Sequence, residues 1–228
     1  MDIKIPYTPR KHQSYLHKQI DSHRWSVLVC HRRFGKTVCM INHLIRSALL
    51  SKKKNPRFAY IAPTFKQAKS IAWDYMKQFT DKIPYIKFNE TELRVDLPNG
   101  ARITLLGSEN SDGLRGIYLD GCVIDEYANV TDKLFPEIIR PALSDRKGYC
   151  VFIGTPQGMN NNFYELYQHA QGAEDWFNYK AKASETKIVD NEELVKAKEV
   201  MGEKKYLQEF ECDWIANIEG AIYADVLA

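Results

Sequence analysis

Short apolar runs alternate with longer segments of helical periodicity along most of the chain. Four of these runs are almost continuously apolar: Ser26–Cys30, Phe58–Ala62, Cys122–Asp125 and Tyr149–Gly154. Strands that helices cover on both faces have this pattern, because neither face of the sheet meets water. The alternation predicts an α/β domain whose central sheet is mostly parallel and flanked by helices.

One pair of predicted strands departs from this parallel scheme. Leu93–Leu97 and Ala101–Leu106 flank an Asn-Gly step at Asn99, and Asn-Gly between two β runs is a strong hairpin signal. We therefore expect one antiparallel excursion in the sheet.

Apolar residues at helical spacing predict helices after Thr37 and from Phe65 to Phe79. Further helices are predicted at Lys11–Ser22, Asp132–Leu143, Asn162–Ala170 and Asn191–Val200. A last strand candidate, Phe177–Ala183, precedes charged helices rich in Glu and Lys. These patterns divide the chain into a core of residues 1–183, a small helical subdomain of residues 184–216 and a linker of residues 217–228.

Composition limits the class of protein. The chain has 228 residues, of which 44% are hydrophobic and 27% charged, as expected for one globular domain or one with a small appendage. No apolar stretch approaches a membrane span, and the N-terminus lacks the apolar core of a signal peptide. The five cysteines are odd in number and form no C-x-x-C pair, which argues against a disulfide framework and a structural zinc site. We expect a reducing cytoplasm, with the cysteines as small core residues.

The charge is unevenly distributed. Residues 1–57 hold 13 Lys and Arg against two Asp, a net charge of +11, whereas the remainder carries −8. A basic first quarter suits a polyanion such as a nucleotide phosphate or a nucleic-acid backbone, although a solvated basic face remains the alternative. The run Lys52-Lys53-Lys54 by itself is typical of such a solvated face.

The first candidate motif joins a predicted strand to a predicted helix and ends in Gly35-Lys36-Thr37. It matches the phosphate-binding pattern G-x-x-x-x-G-K-[ST], except that Cys30 replaces the first glycine. Backbone N–H groups at a helix N-terminus bind phosphate oxygens, and glycine lets the backbone approach them closely. In this pattern Lys36 would reach the β- and γ-phosphates, and the Thr37 hydroxyl would bind Mg²⁺.

The second candidate motif is an apolar strand that ends in the adjacent carboxylates Asp125 and Glu126. In parallel sheets, ligands bind at the carboxyl ends of the strands. Asp125 is suited to the Mg²⁺ site, and Glu126 to polarising an attacking water as general base. A third strand ends in Gly154-Thr155-Pro156, which could place Thr155 beside the γ-phosphate.

Together these motifs resemble the large terminase subunit of tailed bacteriophages. The likeness extends from about Tyr7 to Tyr223 and includes H-R-R-F-G-K-T, G-L-R-G before V-I-D-E, I-R-P-A-L-S-D-R-K-G and I-G-T-P-Q-G. The phosphate loop and the acidic strand occur in many additional-strand (RecA-like) ATPases. The arginine-bearing loop and the I-G-T-P-x-G motif are more specific.

The resemblance implies an additional-strand P-loop ATPase with a small helical lid, which uses ATP and Mg²⁺ to drive double-stranded DNA through a portal into a procapsid. It also implies a small terminase subunit as partner, a homo-oligomeric ring on the portal, and action in the host cytoplasm rather than in the mature virion.

The resemblance also implies roles for individual residues. It makes Gln13 the adenine-recognising glutamine and Thr155 part of the motif that couples hydrolysis to movement. It makes Arg32 or Arg33 a cis contact to the phosphates, with a contact to the lid or to a neighbouring subunit as the alternative. It places a trans-acting arginine finger, which would be catalytic, at Arg115. Alone, Gln13 and Arg115 would be ordinary exposed residues.

Large terminases normally continue into a nuclease domain, and the chain stops about where that domain would begin. We therefore expect an isolated ATPase half without nuclease activity. Two alternatives remain: a superfamily-two helicase-like DNA translocase, which would need a second motor domain, and a DNA-binding scaffold with a degenerate phosphate loop, for which Cys30 is the warning. A nucleotide kinase fits poorly, since Glu126 implies activated water as the phosphoryl acceptor.

Overall fold

The computed structural model describes residues 4–215 and contains one eight-stranded sheet. The strands are β1 Trp25–Cys30, β2 Arg57–Ala62, β3 Lys87–Asn89, β4 Arg94–Asp96, β5 Arg102–Gly107, β6 Gly121–Ile124, β7 Tyr149–Gly154 and β8 Trp176–Ala181. Their order across the sheet is β3-β4-β5-β2-β6-β7-β1-β8. Five neighbouring pairs are parallel, and only β3-β4 and β4-β5 are antiparallel among these strands. The mostly parallel sheet and its antiparallel excursion are confirmed.

The helices lie on both faces of this sheet. The α-helices are α1 Lys11–Ser22, α2 Lys36–Leu50, α3 Phe65–Gln67, α4 Asp74–Thr80, α5 Arg140–Ala142, α6 Asn162–Ala170, α7 Ala183–Thr186, α8 Asn191–Met201 and α9 Glu203–Phe210. Short 3₁₀ segments occur at Ser108–Leu114 and Tyr127–Asn129. In the described range, 4–215, no helix combines the length and apolarity needed to cross a membrane.

Two predicted helices are interrupted by π-helical turns. Ala68–Trp73 is π-helical between α3 and α4, and Leu134–Ile139 is π-helical before α5. A π turn inserts one extra residue into a helix and is often found at functional sites. The apolar spacing that predicted these helices does not reveal such an insertion, because the insertion extends over only one turn.

The sheet separates two apolar layers. Along β1, Leu28 and Cys30 face a core formed with α1, α2 and α4, whereas Trp25, Val27 and Val29 face a core formed with Leu134–Ile139 and α6. The strand is fully buried, as its continuous apolar run predicted. All five cysteines are buried and unpaired, in agreement with the expected role as core residues.

The predicted lid, residues 184–216, is represented by α8, α9 and most of α7; its last residue, Ala216, and the predicted linker 217–228 lie outside the described range. A small apolar cluster joins Ala183, the last residue of the predicted core, to Leu194 and Phe210 of the lid. The predicted strand at Phe177–Ala183 begins one residue earlier and ends at Ala181, because α7 starts at Ala183.

The order of the three central strands determines where the chemistry can lie. β7 is inserted between β6 and β1 and is parallel to both. The residues that follow β1, β6 and β7 therefore meet at one edge of the sheet. This inserted strand is the feature expected of an additional-strand ATPase.

Candidate functional site

The phosphate loop lies between the end of β1 at Cys30 and the start of α2 at Lys36. Arg33 and Gly35 have left-handed backbones, with φ of 70° and 90°, which turn the loop back toward the helix. Cys30 itself is the buried last residue of β1, so the loop proper begins one residue later. The Lys36 Nζ atom donates hydrogen bonds to the carbonyl oxygens of Cys30 at 2.9 Å and His31 at 3.4 Å.

The acidic pair follows the end of β6. The Asp125 carboxylate is buried; it accepts a hydrogen bond from the Tyr60 hydroxyl and another from the Glu126 N–H at 2.9 Å. Glu126 has a left-handed backbone with φ of 46°, which is uncommon for a residue with a side chain. Such backbone strain is concentrated at functional sites.

Burial changes the proton affinity of both carboxyl groups. It is the largest cause that raises the pKa of Glu126 to about 7; the neighbouring Asp125 charge raises it further, while Lys36 and Arg32 oppose the shift. Burial also raises the pKa of Asp125, against the Tyr60 hydrogen bond and the Lys36 charge. A carboxyl group with a pKa near neutrality is suited to general-base chemistry.

A cleft of about 1120 Å³ opens above this edge of the sheet. Its charged and polar lining residues are Arg10, Arg32, Arg33, Lys36, Thr37, Glu126, Thr155, Gln157, Glu193 and Glu209. Its apolar lining residues include Ile71 and Tyr75 and, from the predicted lid, Ile188, Val189, Ala197 and Met201. Arg10, Arg32, Arg33 and Lys36 thus provide a cationic wall for phosphates, and the apolar side chains suit a planar base.

Most of the predicted site residues meet in this cleft. Arg32, Arg33, Gly35, Lys36, Thr37, Glu126 and Thr155 all line it, and Asp125 is buried directly before Glu126. Residues that follow three different strands are therefore brought together, as the parallel sheet predicted.

Gln13 lies beside the cleft rather than in its lining. Its side chain is buried and spans two backbone groups: Oε1 accepts from the Arg10 N–H at 2.9 Å, and Nε2 donates to the Gly35 carbonyl at 3.2 Å. Arg10, which sequence reasoning did not single out, lines the cleft instead. Adenine recognition by Gln13 stays a prediction.

Arg115 lies outside the lining of the cleft, after the 3₁₀ segment Ser108–Leu114. Its side chain is 55% exposed, and Nη2 is 3.6 Å from Glu137 Oε2. The trans-acting role of Arg115 stays a prediction.

The lid contacts the phosphate loop and the segment after β7 directly, which the sequence did not indicate. The Glu209 carbonyl accepts a hydrogen bond from the Arg32 N–H at 2.7 Å. The buried Gln208 Nε2 donates to the Pro156 carbonyl at 2.7 Å. Backbone partners far apart in sequence leave no local pattern, so only the fold reveals them.

The donor set of the site suits Mg²⁺. Mg²⁺ is usually held by one or two carboxylates together with substrate phosphates and water, not by a closed protein cage. The Thr37 hydroxyl and the Asp125 carboxylate provide such a partial set at the phosphate loop. Across residues 4–215, no group of three or more His, Cys, Asp and Glu side chains is arranged to hold a metal ion.

Comparison with known families gives the context of this geometry. The family described as terminase large subunit, T4likevirus-type, N-terminal, matches residues 29–224, most of the chain. The chain belongs to this large terminase family. Among curated proteins, the large terminase subunits of Thermus phage G20c and Thermus virus P23-45 are 29% identical over 126 residues, which is 47% of the chain and 26% of each relative. The match thus spans about a quarter of these relatives' length.

Solved terminase structures share the fold. The large terminase ATPase domain of Thermus phage P74-26 superposes with a TM-score of 0.78 at 20% identity, over 92% of this chain and 96% of that one. A large terminase from another thermophilic bacteriophage, in a complex with ADP, gives a TM-score of 0.76 at 14% identity, over 90% of this chain and 53% of that one. At this identity the likeness establishes the terminase ATPase fold, with an additional-strand, RecA-like sheet.

Proposed function

We propose that this chain hydrolyses ATP with Mg²⁺ and that hydrolysis drives double-stranded viral DNA into a procapsid. The observation that carries the proposal is the meeting of the Lys36 phosphate loop with Glu126 in one cleft. The ADP complex of the thermophilic bacteriophage's large terminase supports nucleotide as the ligand of this fold.

The cationic wall binds and orients the triphosphate. The N–H groups at the start of α2 bind phosphate oxygens, and Lys36 turns from the two loop carbonyls to the β- and γ-phosphates. Arg32 and Arg33 add positive charge on the same wall. Thr37 and Asp125 would hold Mg²⁺, which would supply positive charge to neutralise the charge that develops on the phosphates.

Glu126 orients and deprotonates the attacking water. Its side chain lines the cleft with Thr155, which follows the inserted strand β7. Thr155 responds to the γ-phosphate, and the Gln208 bond to Pro156 passes its movement to the lid. Arg115 of one subunit stabilises the transferring phosphoryl group in the cleft of the next subunit. Gln13 supports the binding of adenine.

We also propose the partners that this activity requires: double-stranded DNA, a portal and procapsid, a small terminase subunit, and further copies of this chain in a ring. The setting is the host cytoplasm during assembly. The arrangement of charge supports a polyanionic partner, because residues 1–57 carry a net charge of +11.

Two substitutions test the ATPase assignment. Lys36→Ala removes the cation of the phosphate loop and should abolish tight ATP binding while the melting curve stays native. Glu126→Gln should bind ATP normally but hydrolyse it at least a hundredfold more slowly, since general bases contribute about 10²–10⁴ in rate. Calorimetric ATP binding and phosphate release measure the two effects. Normal affinity in the first variant or normal turnover in the second would refute the assignment.

A further inference from the structure

Six basic residues form a surface at the edge of the sheet opposite the cleft, which we term the basic edge: Lys52, Lys53, Lys54, Arg57, Arg146 and Lys147. They lie where the parallel strands β2 and β7 begin, whereas the cleft lies where the strands end. Since β2 has six residues at about 3.3 Å each, roughly 20 Å separate the two edges. The basic edge is therefore outside the proposed nucleotide site.

A buried carboxylate fixes the centre of the basic edge. The Asp120 side chain is only 2% exposed, and its Oδ1 atom lies 2.9 Å from Lys53 Nζ and 3.0 Å from Arg146 Nε. Its Oδ2 atom accepts a hydrogen bond from the Arg57 N–H at 2.9 Å. Burial would raise the pKa of Asp120, but the hydrogen bonds from these groups lower it overall, so the carboxylate stays charged.

The two basic loops are also tied to each other. Lys53 Nζ donates to the Arg146 carbonyl at 2.6 Å, and Arg146 Nη2 donates to the Lys54 carbonyl at 2.9 Å. The Lys53 and Arg146 side chains are thus held in position before any partner arrives. A surface fixed in this way loses less side-chain entropy on binding than free lysines would.

The basic edge keeps an excess of positive charge. Three acids lie near the six cations: Asp120 within the network, the exposed Asp145 next to Arg146 in sequence, and Asp21, which lines two small clefts with Lys53 and Asp120. Lys52, Lys54 and Lys147 are exposed. The surface is therefore suited to an extended anion.

Tyr118, an exposed aromatic residue on this surface, indicates how the surface would bind such an anion. The guanidinium groups of Arg146 and Arg57 lie 5.1 Å and 5.9 Å from the centre of the Tyr118 ring, and the Tyr118 hydroxyl donates to the Asn55 carbonyl at 3.0 Å. With its ring against two cations and its hydroxyl bonded, Tyr118 is poorly placed to stack on unpaired bases, the usual means of gripping single strands. The other groups of this surface are cations, which bind phosphates. Contacts to phosphates carry no sequence information.

We propose that the basic edge binds the phosphate backbone of double-stranded DNA without sequence preference, at a surface separate from the ATP cleft. The choice of DNA as the polyanion rests on the proposed function. The proposal gives a role to the lysine run that the sequence alone suggested to be a solvated face.

The test is the salt dependence of duplex binding, measured by fluorescence anisotropy with two unrelated duplexes. Lys52→Ala with Lys54→Ala should weaken binding to both duplexes equally and reduce the slope of log K against log salt by about 1.8, since each lost phosphate contact removes about 0.9. Lys196→Ala with Lys204→Ala removes the same charge from exposed positions of the lid and should leave the slope unchanged. ATP turnover without DNA should be unchanged in both variants.

Three results would overturn the proposal: wild-type protein that does not bind duplex at low salt, a slope unaffected by the Lys52 and Lys54 changes, or an equal loss in the lid control. A poly-glutamate peptide tests the alternative partner, an acidic protein surface. If the Lys52 and Lys54 changes weaken peptide binding and spare DNA binding, the surface serves a protein, and the proposal is wrong. If the wild-type protein does not hydrolyse ATP, the proposed function is refuted. The DNA titration would then still test whether the basic edge binds DNA.

Discussion

ATP turnover should depend on pH through the ionisation of Glu126. The carboxyl group can accept a proton from water only when it is ionised, and burial together with the Asp125 charge raises its pKa to about 7. A raised pKa means that the active, ionised form is lost as the pH falls through neutrality. An ordinary exposed glutamate would stay ionised across the same range.

The size of the effect follows from the pKa. With a pKa of about 7, roughly 9% of the Glu126 carboxyl groups are ionised at pH 6 and roughly 91% at pH 8, so turnover should increase about tenfold between them. The increase should be half complete near pH 7.

The assay is phosphate release at saturating ATP and Mg²⁺ from pH 5.5 to 9, with ATP affinity measured at each pH. Glu193 provides a matched control, because it is another glutamate that lines the cleft, on α8. Glu193→Gln should keep the pH dependence. The residual rate of Glu126→Gln should lack it and will measure any contribution from the ionisation of ATP itself.

Two results would refute this reasoning. A rate that is constant from pH 6 to pH 8 would show that Glu126 is ionised throughout and that its burial has no effect on turnover. The same tenfold increase in the residual rate of Glu126→Gln would show that another group titrates.

Two further predictions concern Arg115 and Gln208. Arg115→Ala should leave ATP binding intact and lower turnover by about 10³–10⁵-fold under conditions of assembly. Mixing this variant with Glu126→Gln should restore part of the activity. A mixture as inactive as its components would exclude a trans role for Arg115. Gln208→Leu removes the 2.7 Å hydrogen bond to the buried Pro156 carbonyl and should destabilise docking of the lid by about 1–3 kcal/mol. Hydrogen exchange in α9 should become faster while ATP binding is retained. Unchanged exchange in α9 would contradict this prediction.

The sequence predicted the parts of the fold in which local pattern and tertiary environment agree. The bounds of α1, α6 and β7 match their predicted ranges, because the two helices have a clear apolar period and the strand is a continuous apolar run. The meeting of Lys36 with Glu126 also followed from the sequence, since both come after strands of one parallel sheet.

What the sequence did not predict depends on contacts between distant segments. Ile71 and Tyr75 have the spacing of core residues, yet the fold places them in the lining of the cleft, in and after a π-helical turn. The Gln208 contact with Pro156 joins residues 52 positions apart. No sequence pattern near Gln208 or Pro156 indicates this contact.

The burial of every cysteine makes the protein well suited to site-specific fluorescent labelling. Thiol reagents react with the accessible thiolate, and burial is the largest cause that raises the pKa of Cys39 and of Cys212 to about 12. A single cysteine introduced at an exposed position would therefore take up a maleimide dye while the native thiols stay unmodified. Pairs of dyes on the lid and on the core could then report the movement of one against the other, without first removing any native cysteine.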